Sequence, residues 1–244
     1  MNNQGHNELG QHFMTDQALL ARIAQAGEIT AEDVIVEIGS GKGALTTHLL
    51  GAHPKKLICI EIDPRLRTPD KKVTYLQADA KEHLHRLHYN KVIANIPYHE
   101  SEPLLQALLR AQPDLMVLVV GETFAHKLFE ETIVGIITRT SYELELLEHI
   151  PPSAFAPPPR VQSSLVRARK KEPTQLQRLL LPFYAHQRQK VNNYLLSISK
   201  DLKTKKEVKT ASQELPADLL EQELYTLNTT SFKRIYTFIK EFYL

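Results

Sequence analysis

The sequence predicts an α/β fold, with a doubly wound, mainly parallel sheet followed by a small all-helical C-terminal domain. Three observations support this prediction. Short apolar, β-branched runs alternate with helical patterns through most of the chain, the first run enters a glycine-rich turn, and the apolar patterns after about Glu172 all have helical spacing. We therefore expect one domain over residues 1–171 and a second over residues 172–244.

The predicted elements follow one another at the spacing of βαβ units. The first helix should begin after Thr15 or Asp16, either of which can serve as its N-cap. Buried strands are predicted over residues 34–38, 57–62, 73–78, 91–94 and 115–120, with later strands near residues 144–150 and 164–168. Because a proline-rich loop joins the last two strands, we expect an antiparallel edge.

Helical spacing in the C-terminal domain covers residues 176–183, 191–198 and 232–239. Residues 200–209 are basic and predict either a linker or a surface helix. The cluster Thr229-Thr-Ser231 predicts the N-cap of the last helix.

The turn after the first predicted strand has the spacing Gly39-Ser-Gly41-Lys-Gly43. Such glycines let a ligand approach the backbone, and the following helix presents free N–H groups. The next strand ends in Glu61-Ile-Asp63, about 20 residues further on, where an acidic residue can bind ribose hydroxyls. Together the two features predict a ribose-bearing cofactor. Asp79, after the third strand, can either accept from an adenine amino group or cap a helix.

Residues 95–98 read Asn-Ile-Pro-Tyr and follow a buried strand, at the edge where open α/β sheets bind ligands. The lone pair of a nucleobase amino group is delocalised into the ring, so an enzyme that alkylates it must hold the NH2 by its hydrogens. The Asn95 side chain and a carbonyl beside Pro97 can accept them without taking a full proton. Tyr98 offers a face to a flipped base. The alternative is an ordinary Asn-x-Pro turn.

Residues 151–159 contain five prolines, too many for helix or sheet, and predict a stiff loop. Such a loop can hold Phe155 against a ligand. The alternative is a proline-rich hinge with Phe155 in the core.

The composition predicts a globular, cytoplasmic protein. Of the 244 residues, 42% are hydrophobic and 24% charged, and we expect neither a membrane span nor a signal peptide. The single cysteine, Cys59, excludes an intrachain disulfide. Residues 160–209 carry 13 Lys/Arg against 3 Asp/Glu, while the flanking ranges are acidic. This block is either a solvated basic face or a footprint for a phosphate backbone.

These motifs resemble the ribosomal RNA adenine N6-dimethyltransferase family of the KsgA/Dim type. Residues 10–16 are similar to the family's Gly-Gln-Asn-Phe-Leu-x-Asp opening, and residues 37–41 to its glycine motif. Glu61, Asp79 and the Asn95–Tyr98 tetrapeptide occur in the family's order. Residues 151–163 resemble its Pro-Pro-x-x-Phe-x-Pro-x-Pro-Lys-Val-x-Ser signature, and residues 183–193 and 227–232 resemble parts of its C-terminal domain.

The resemblance implies a Rossmann-like class I methyltransferase domain that uses S-adenosylmethionine without a metal. The cofactor-binding residues it implies are His12, Met14, Gly39, Gly41, Glu61, Ile62, Asp79, Ala80 and Asn95. The catalytic residues are Asn95, Pro97, Tyr98 and Phe155, with the target adenine between the two rings.

The implied substrate is a pair of adjacent adenines near the 3′ end of small-subunit ribosomal RNA, dimethylated during subunit assembly. The RNA-binding residues are Arg160, Arg167, Arg169, Lys170, Arg188 and Lys190. We expect a cytoplasmic monomer that makes no membrane contact.

The chain departs from the family pattern in four places. His12 replaces Asn, Glu100 and Glu102 place two carboxylates near the expected RNA entrance, nine residues separate Asp63 from Val73, and residues 121–126 replace a Gln-Lys-Glu-type stretch.

Two other interpretations stay open. One is an RNA-binding assembly factor or transcription-factor relative that keeps the fold without turnover, and the other is methylation of large-subunit RNA. The intact set of Asn95, Pro97 and Tyr98 with Glu61 and Asp79 favours an enzyme.

Overall fold

A computed structural model describes residues 12–66, 71–200 and 202–244, so Gly10 and Gln11 of the opening motif lie outside the described residues. The strands within these ranges are β1 (Phe13–Met14), β2 (Val34–Ile38), β3 (Lys56–Glu61), β4 (Val73–Gln77), β5 (Lys91–Asn95), β6 (Leu115–Gly121), β7 (Tyr142–Ile150), β8 (Phe155–Ala156) and β9 (Ser163–Lys170). The α-helices are α1 (Gln17–Ala26), α2 (Ala44–Gly51), α3 (Ala80–His83), α4 (Ser101–Ala111), α5 (Glu122–Phe129), α6 (Ile133–Ser141), α7 (Gln175–Leu180), α8 (Val191–Ile198), α9 (Lys205–Ala211), α10 (Ala217–Glu221) and α11 (Thr229–Tyr243).

Seven strands form one sheet in the order β4-β3-β2-β5-β6-β9-β7. The first five are parallel, and β9 runs antiparallel to both β6 and β7. This confirms the predicted mainly parallel sheet with an antiparallel edge. Because the strand order reverses between β2 and β5, their C-terminal ends flank the switch point where such sheets bind ligands.

The first helix and the central strands share one apolar core. Asp16 rather than Thr15 caps α1, since its carboxylate accepts from the Leu19 backbone N–H at 3.0 Å. Leu19 packs in a buried cluster with Ile35 of β2 and Leu57 of β3. Burial of each such side chain stabilises the fold by about 1.5–3 kcal/mol. The strand ends that carry the site are therefore held on a rigid core.

The proline-rich segment is not entirely a loop, and the expectation that it could not enter a sheet was wrong. Phe155 and Ala156 form β8, which pairs antiparallel with β1. The neighbouring prolines at 152 and 157 lie outside this pair, so both residues keep the N–H groups that a ladder requires. The pairing brings the segment before α1 beside the segment that carries Phe155.

The chain divides into two compact units. The first consists of residues 1–126 and 142–170, and the second of residues 127–141 and 171–244. The sequence pattern does not indicate that residues 127–141 join the second unit, because a helix after a strand looks like another crossover of the sheet.

The second unit is helical and has an aromatic core. Phe183 packs edge-on against Phe232 and Tyr194, with ring centroids 5.1 and 6.0 Å apart. The N-cap of α11 is Asn228, one residue before the predicted cluster, because its side-chain oxygen accepts from the Ser231 N–H at 2.8 Å. No helix in the described ranges is both long enough and apolar enough to span a bilayer.

Candidate functional site

A cavity of about 410 Å³ opens at the C-terminal ends of β2, β3 and β5. Cavities of this size are typical of small-molecule and cofactor sites. Its lining includes every residue that was predicted to bind a cofactor or to act in catalysis. Residues from both ends of the first unit therefore meet at the switch point of the sheet.

The glycine turn and Glu61 form one hydrogen-bonded unit. Gly39 and Gly41 have φ of +71° and +52°, a conformation that strongly favours glycine. The Gly41 N–H donates to Glu61 Oε2 at 2.9 Å, and the Asp63 N–H donates to Oε1 at 2.9 Å. Since each carboxylate oxygen has two lone pairs, Glu61 can still accept from ligand hydroxyls.

A second carboxyl group, Glu37, lies buried beneath this turn. Burial, the largest cause, and the nearby Glu61 carboxylate together raise its pKa to about 7, against hydrogen bonds from Thr46 and Cys59 that lower it. The Thr46 hydroxyl donates at 2.6 Å and the Cys59 thiol at 3.3 Å, both to Glu37 Oε2. Burial also raises the pKa of the Cys59 thiol, so this cysteine is a neutral donor.

Asp79 is the N-cap of α3, because its Oδ1 accepts from the Lys81 N–H at 2.9 Å. Its Oδ2 lies 3.5 Å from Lys81 Nζ, and the same ammonium is hydrogen-bonded to Glu100. The hydrogen bond to Glu100 raises the pKa of Lys81. One of the two carboxylates that depart from the family pattern is thus paired with a cation.

Asn95 has a fixed side-chain orientation at the end of β5. Its Nδ2 donates to the His12 carbonyl oxygen at 3.2 Å, which leaves Oδ1 as the free acceptor of the amide. The Pro97 carbonyl already accepts from the Glu100 N–H at 2.9 Å. The Ile96 carbonyl is therefore better able than the Pro97 carbonyl to accept a hydrogen bond from a ligand.

Tyr98 is restrained by two residues of the neighbouring strands. Its hydroxyl lies 2.5 Å from Ser163 Oγ. A Cβ built on Gly121 would lie 3.3, 3.5 and 3.6 Å from three atoms of the ring, which places this position over the ring face and not at its edge. Burial raises the pKa of Tyr98, so the hydroxyl stays protonated.

His12 directly precedes β1, and Phe155 is the first residue of β8, the strand that pairs with β1. The His12 ring stacks near Tyr98, with centroids 5.9 Å apart and planes at 27°, and its Nδ1 donates to the Pro157 carbonyl at 2.8 Å. Phe155 is 4% exposed and belongs to the apolar core, yet it also lines the cavity. Phe155 therefore lies in the core, as the second alternative predicted, and its contact with a ligand stays a prediction.

The predicted RNA-binding cations fall into two groups. Four have partners: Arg167 with Glu28 and Glu145, Arg169 with Glu28, Lys190 with Glu221, and Lys170 with the Gln112 carbonyl. Arg160 and Arg188 are exposed and have no ion pair among the described residues.

Four residues of this region were not assigned a role from the sequence: Glu37, Lys81, Gly121 and Ser163. Ser163 and Glu37 stand inside motifs that were recognised, so a signal for them existed. No sequence motif indicates the role of Lys81, because its ion pair with Glu100 depends on how α3 lies beside the turn after β5.

The chain matches a known family over nearly its whole length. Residues 2–239 match the ribosomal RNA adenine dimethylase family. A probable ribosomal RNA small subunit methyltransferase A of Methanopyrus kandleri is 32% identical over 238 residues, which cover 88% of this chain and 84% of that protein.

Two solved structures share the fold. A dimethyladenosine transferase from Plasmodium falciparum has a TM-score of 0.65 at 22% identity, covering 94% of this chain and 98% of that structure. The 23S rRNA methyltransferase ErmE has a TM-score of 0.59 at 19% identity, covering 93% of this chain and 99% of that structure. The extent of the family match, together with the residues gathered around the cavity, shows that this chain belongs to the ribosomal RNA adenine dimethylase family.

Proposed function

We propose that this protein dimethylates N6 of two adjacent adenosines near the 3′ end of small-subunit ribosomal RNA, with S-adenosylmethionine as the methyl donor. The observation that carries the proposal is the orientation of Asn95 at the switch point. Its amide nitrogen is held by the His12 carbonyl, and its oxygen is left to accept beside Tyr98. This is the arrangement needed to hold an exocyclic amino group.

The cavity fits the proposed cofactor. Glu61 would accept from the ribose hydroxyls, and Asp79, with Ala80 beside it, from the adenine amino group. Ile62 is 57% exposed and lines the cavity, so it offers an apolar surface that an adenine ring would cover. Gly39 and Gly41, which have no Cβ, leave room at the amino-acid end, while His12 and Met14 form the wall on the β1 side. When bound, S-adenosylmethionine supplies an electrophilic methyl group on a sulfonium centre.

The residues after β5 would prepare the target amino group. Asn95 Oδ1 and the Ile96 carbonyl would accept the two N6 hydrogens, which localises the nitrogen lone pair. Neither acceptor takes a full proton at neutral pH, so the proton is lost to solvent only after N6 has been alkylated. Pro97 limits the backbone freedom of the turn and so fixes the direction of the Ile96 carbonyl.

The flipped adenine would lie against Tyr98, with Phe155 as the second wall. Stacking of a base on an aromatic ring is worth about 1–3 kcal/mol in single-strand binders. The partly accessible Tyr98 supplies most of the contact, because Phe155 is nearly buried.

Arg160 and Arg188 would contribute most to binding of the RNA backbone. They are the two exposed arginines of the predicted set that have no ion pair among the described residues. Arg167, Arg169, Lys170 and Lys190 would contribute less, because each already has a partner. We place the reaction in the cytoplasm, with a monomeric enzyme acting on the immature small ribosomal subunit.

The test is transfer of labelled methyl groups to immature small subunits, with naked ribosomal RNA and large subunits in parallel, followed by nucleoside analysis. We expect N6,N6-dimethyladenosine with the small subunit. Transfer only to large subunits would overturn the substrate assignment. Binding to the small subunit without any transfer would indicate an assembly factor.

A further inference from the structure

We infer that Ser163 is a positioning residue for the target adenine: with Gly121 it fixes the Tyr98 ring, and this determines how often a singly methylated base stays bound for the second transfer. The inference rests on the proposed function and extends it from the identity of the reaction to the control of its product.

Ser163 is well placed to fix Tyr98. It is fully buried in β9, where its backbone is held by ladders to both β6 and β7. Tyr98 lies instead in a short 3₁₀ turn, residues Tyr98–Glu100. The 2.5 Å contact between the two hydroxyls therefore ties a side chain on a turn to a rigid strand.

Gly121 supports the same ring from behind. It is the cross-strand partner of Ser163 in the β6–β9 register, so one residue pair holds both the ring face and the hydroxyl of Tyr98. Because Gly121 lies over the Cγ end of one face, we expect a base to stack on the opposite face, with the His12 ring near it. A side chain at position 121 would displace the ring by a few tenths of an ångström toward that face.

Because two methyl groups are transferred to the same nitrogen, the ratio of products depends on how firmly the Tyr98 ring, which we call the platform, holds the base. After the first transfer, the N6-methyladenine either receives a second methyl or leaves the site. Faster release lowers the share of the second product without changing the first step to the same extent. A platform that can rotate holds the base less tightly, so it should release more of the singly methylated intermediate.

The experiment measures the ratio of N6-methyladenosine to N6,N6-dimethyladenosine on small subunits, with excess unlabelled subunits added as a trap once the first methyl has been transferred. Ser163→Ala is expected to raise this ratio about two- to tenfold, as the removal of one hydrogen bond predicts. Tyr98→Phe removes the same contact from the other side and leaves β9 intact. The double variant should therefore match the single variants.

The neighbouring serine provides a matched control. Ser164 is also fully buried in β9, but its Oγ has no hydrogen-bond partner among the described residues. Ser164→Ala should leave the product ratio unchanged. Cofactor affinity, measured by calorimetry, should be the same in Ser163→Ala and Ser164→Ala as in the wild type, since neither serine lines the cavity.

An unchanged ratio in both Ser163→Ala and Tyr98→Phe would overturn the inference, and so would effects that add in the double variant. A wild-type enzyme that transfers no methyl group would instead overturn the proposed function, and the inference with it. A product ratio is independent of the fraction of folded enzyme, so reduced stability alone cannot produce the expected result.

Discussion

Asn95 is the site residue whose side-chain orientation is best defined. Its amide nitrogen donates to the His12 carbonyl, which fixes the amide group and leaves the oxygen to accept from a ligand. Asn95→Ala removes the acceptor that we propose for an N6 hydrogen and also the hydrogen bond to the His12 carbonyl. We expect turnover to fall by at least about 100-fold, the effect of removing one preorganised polar group from a reaction centre. Cofactor binding should weaken but remain measurable by calorimetry. Wild-type turnover in this variant would contradict the role assigned to Asn95.

Glu37 gives a prediction about stability at the same scale. Burial, the largest cause, raises its pKa to about 7 from 4.5, so the folded protein binds a proton there that the unfolded chain has lost. Stability should therefore fall as pH rises from about 4.5 to 7, and the reduction should persist above pH 7. The effect is on the order of 3 kcal/mol.

Replacing the carboxyl by a neutral amide tests this prediction. Glu37→Gln keeps an oxygen that can accept from Thr46 and Cys59 but cannot ionise. Its unfolding free energy, measured in urea and compared with that of the wild type, should be larger at pH 8 than at pH 5. Glu82→Gln, at an exposed position, controls for the removal of one carboxylate. An equal difference at both pH values would show that Glu37 is not a buried neutral acid.

At the scale of elements, the glycine turn between β2 and α2 requires its glycines. Gly41 has φ of +52°, and a Cβ there would lie 3.2 Å from the Phe13 ring. Left-handed backbone costs a non-glycine residue about 1–2 kcal/mol. Gly41→Ala should therefore lower the unfolding free energy. It should also lower the cofactor affinity, because a shift of the strained turn would move the backbone N–H that orients Glu61.

Gly51 at the end of α2 is the matched control. Its φ is not positive and nothing lies within 4 Å of the position of a Cβ, so Gly51→Ala should be neutral or stabilise by up to about 1 kcal/mol. Chemical denaturation and cofactor calorimetry on both variants would measure the contrast. Equal effects of the two substitutions would show that the turn does not depend on its left-handed conformation.

Elements whose signal is local were predictable from the sequence. The strands β2 and β5 are mostly apolar and β-branched and were located to within one residue, and the glycine spacing placed the turn. The β1–β8 pair was not predictable, because two residues form no periodic pattern and the partner strand lies far along the chain. The same reason applies within the site: Asn95 and Glu61 belong to motifs, whereas the Tyr98–Ser163 contact exists only after β6 and β9 have paired.

For the molecule as a whole, sequence charge alone overstates the basic character of residues 160–209. Lys190 is paired with Glu221 at 2.7 Å, whereas Arg188 in the same unit has no ion pair among the described residues. An exposed ion pair is worth only about 0–1 kcal/mol, so RNA phosphate can compete for Lys190. Glu221 would still lie beside that phosphate and repel it, so the net gain from Lys190 should be small.

Salt dependence separates these two cations. Removing the cation that neutralises one RNA phosphate should reduce the slope of log K against log salt by roughly 0.7–0.9. We expect that reduction for Arg188→Ala in binding to small ribosomal subunits between about 50 and 200 mM salt. Lys190→Ala should change the slope much less.

Glu221→Gln tests whether pairing is the reason for this difference. The substitution leaves Lys190 in place but removes the carboxylate that offsets it, so it should steepen the slope by about the amount that Arg188→Ala removes. If Arg188→Ala and Glu221→Gln both leave the slope unchanged, the cations of this unit are a solvated face and RNA binds elsewhere. If only Glu221→Gln changes the slope, Lys190 binds RNA phosphate, and its ion pair with Glu221 weakens that binding in the wild type.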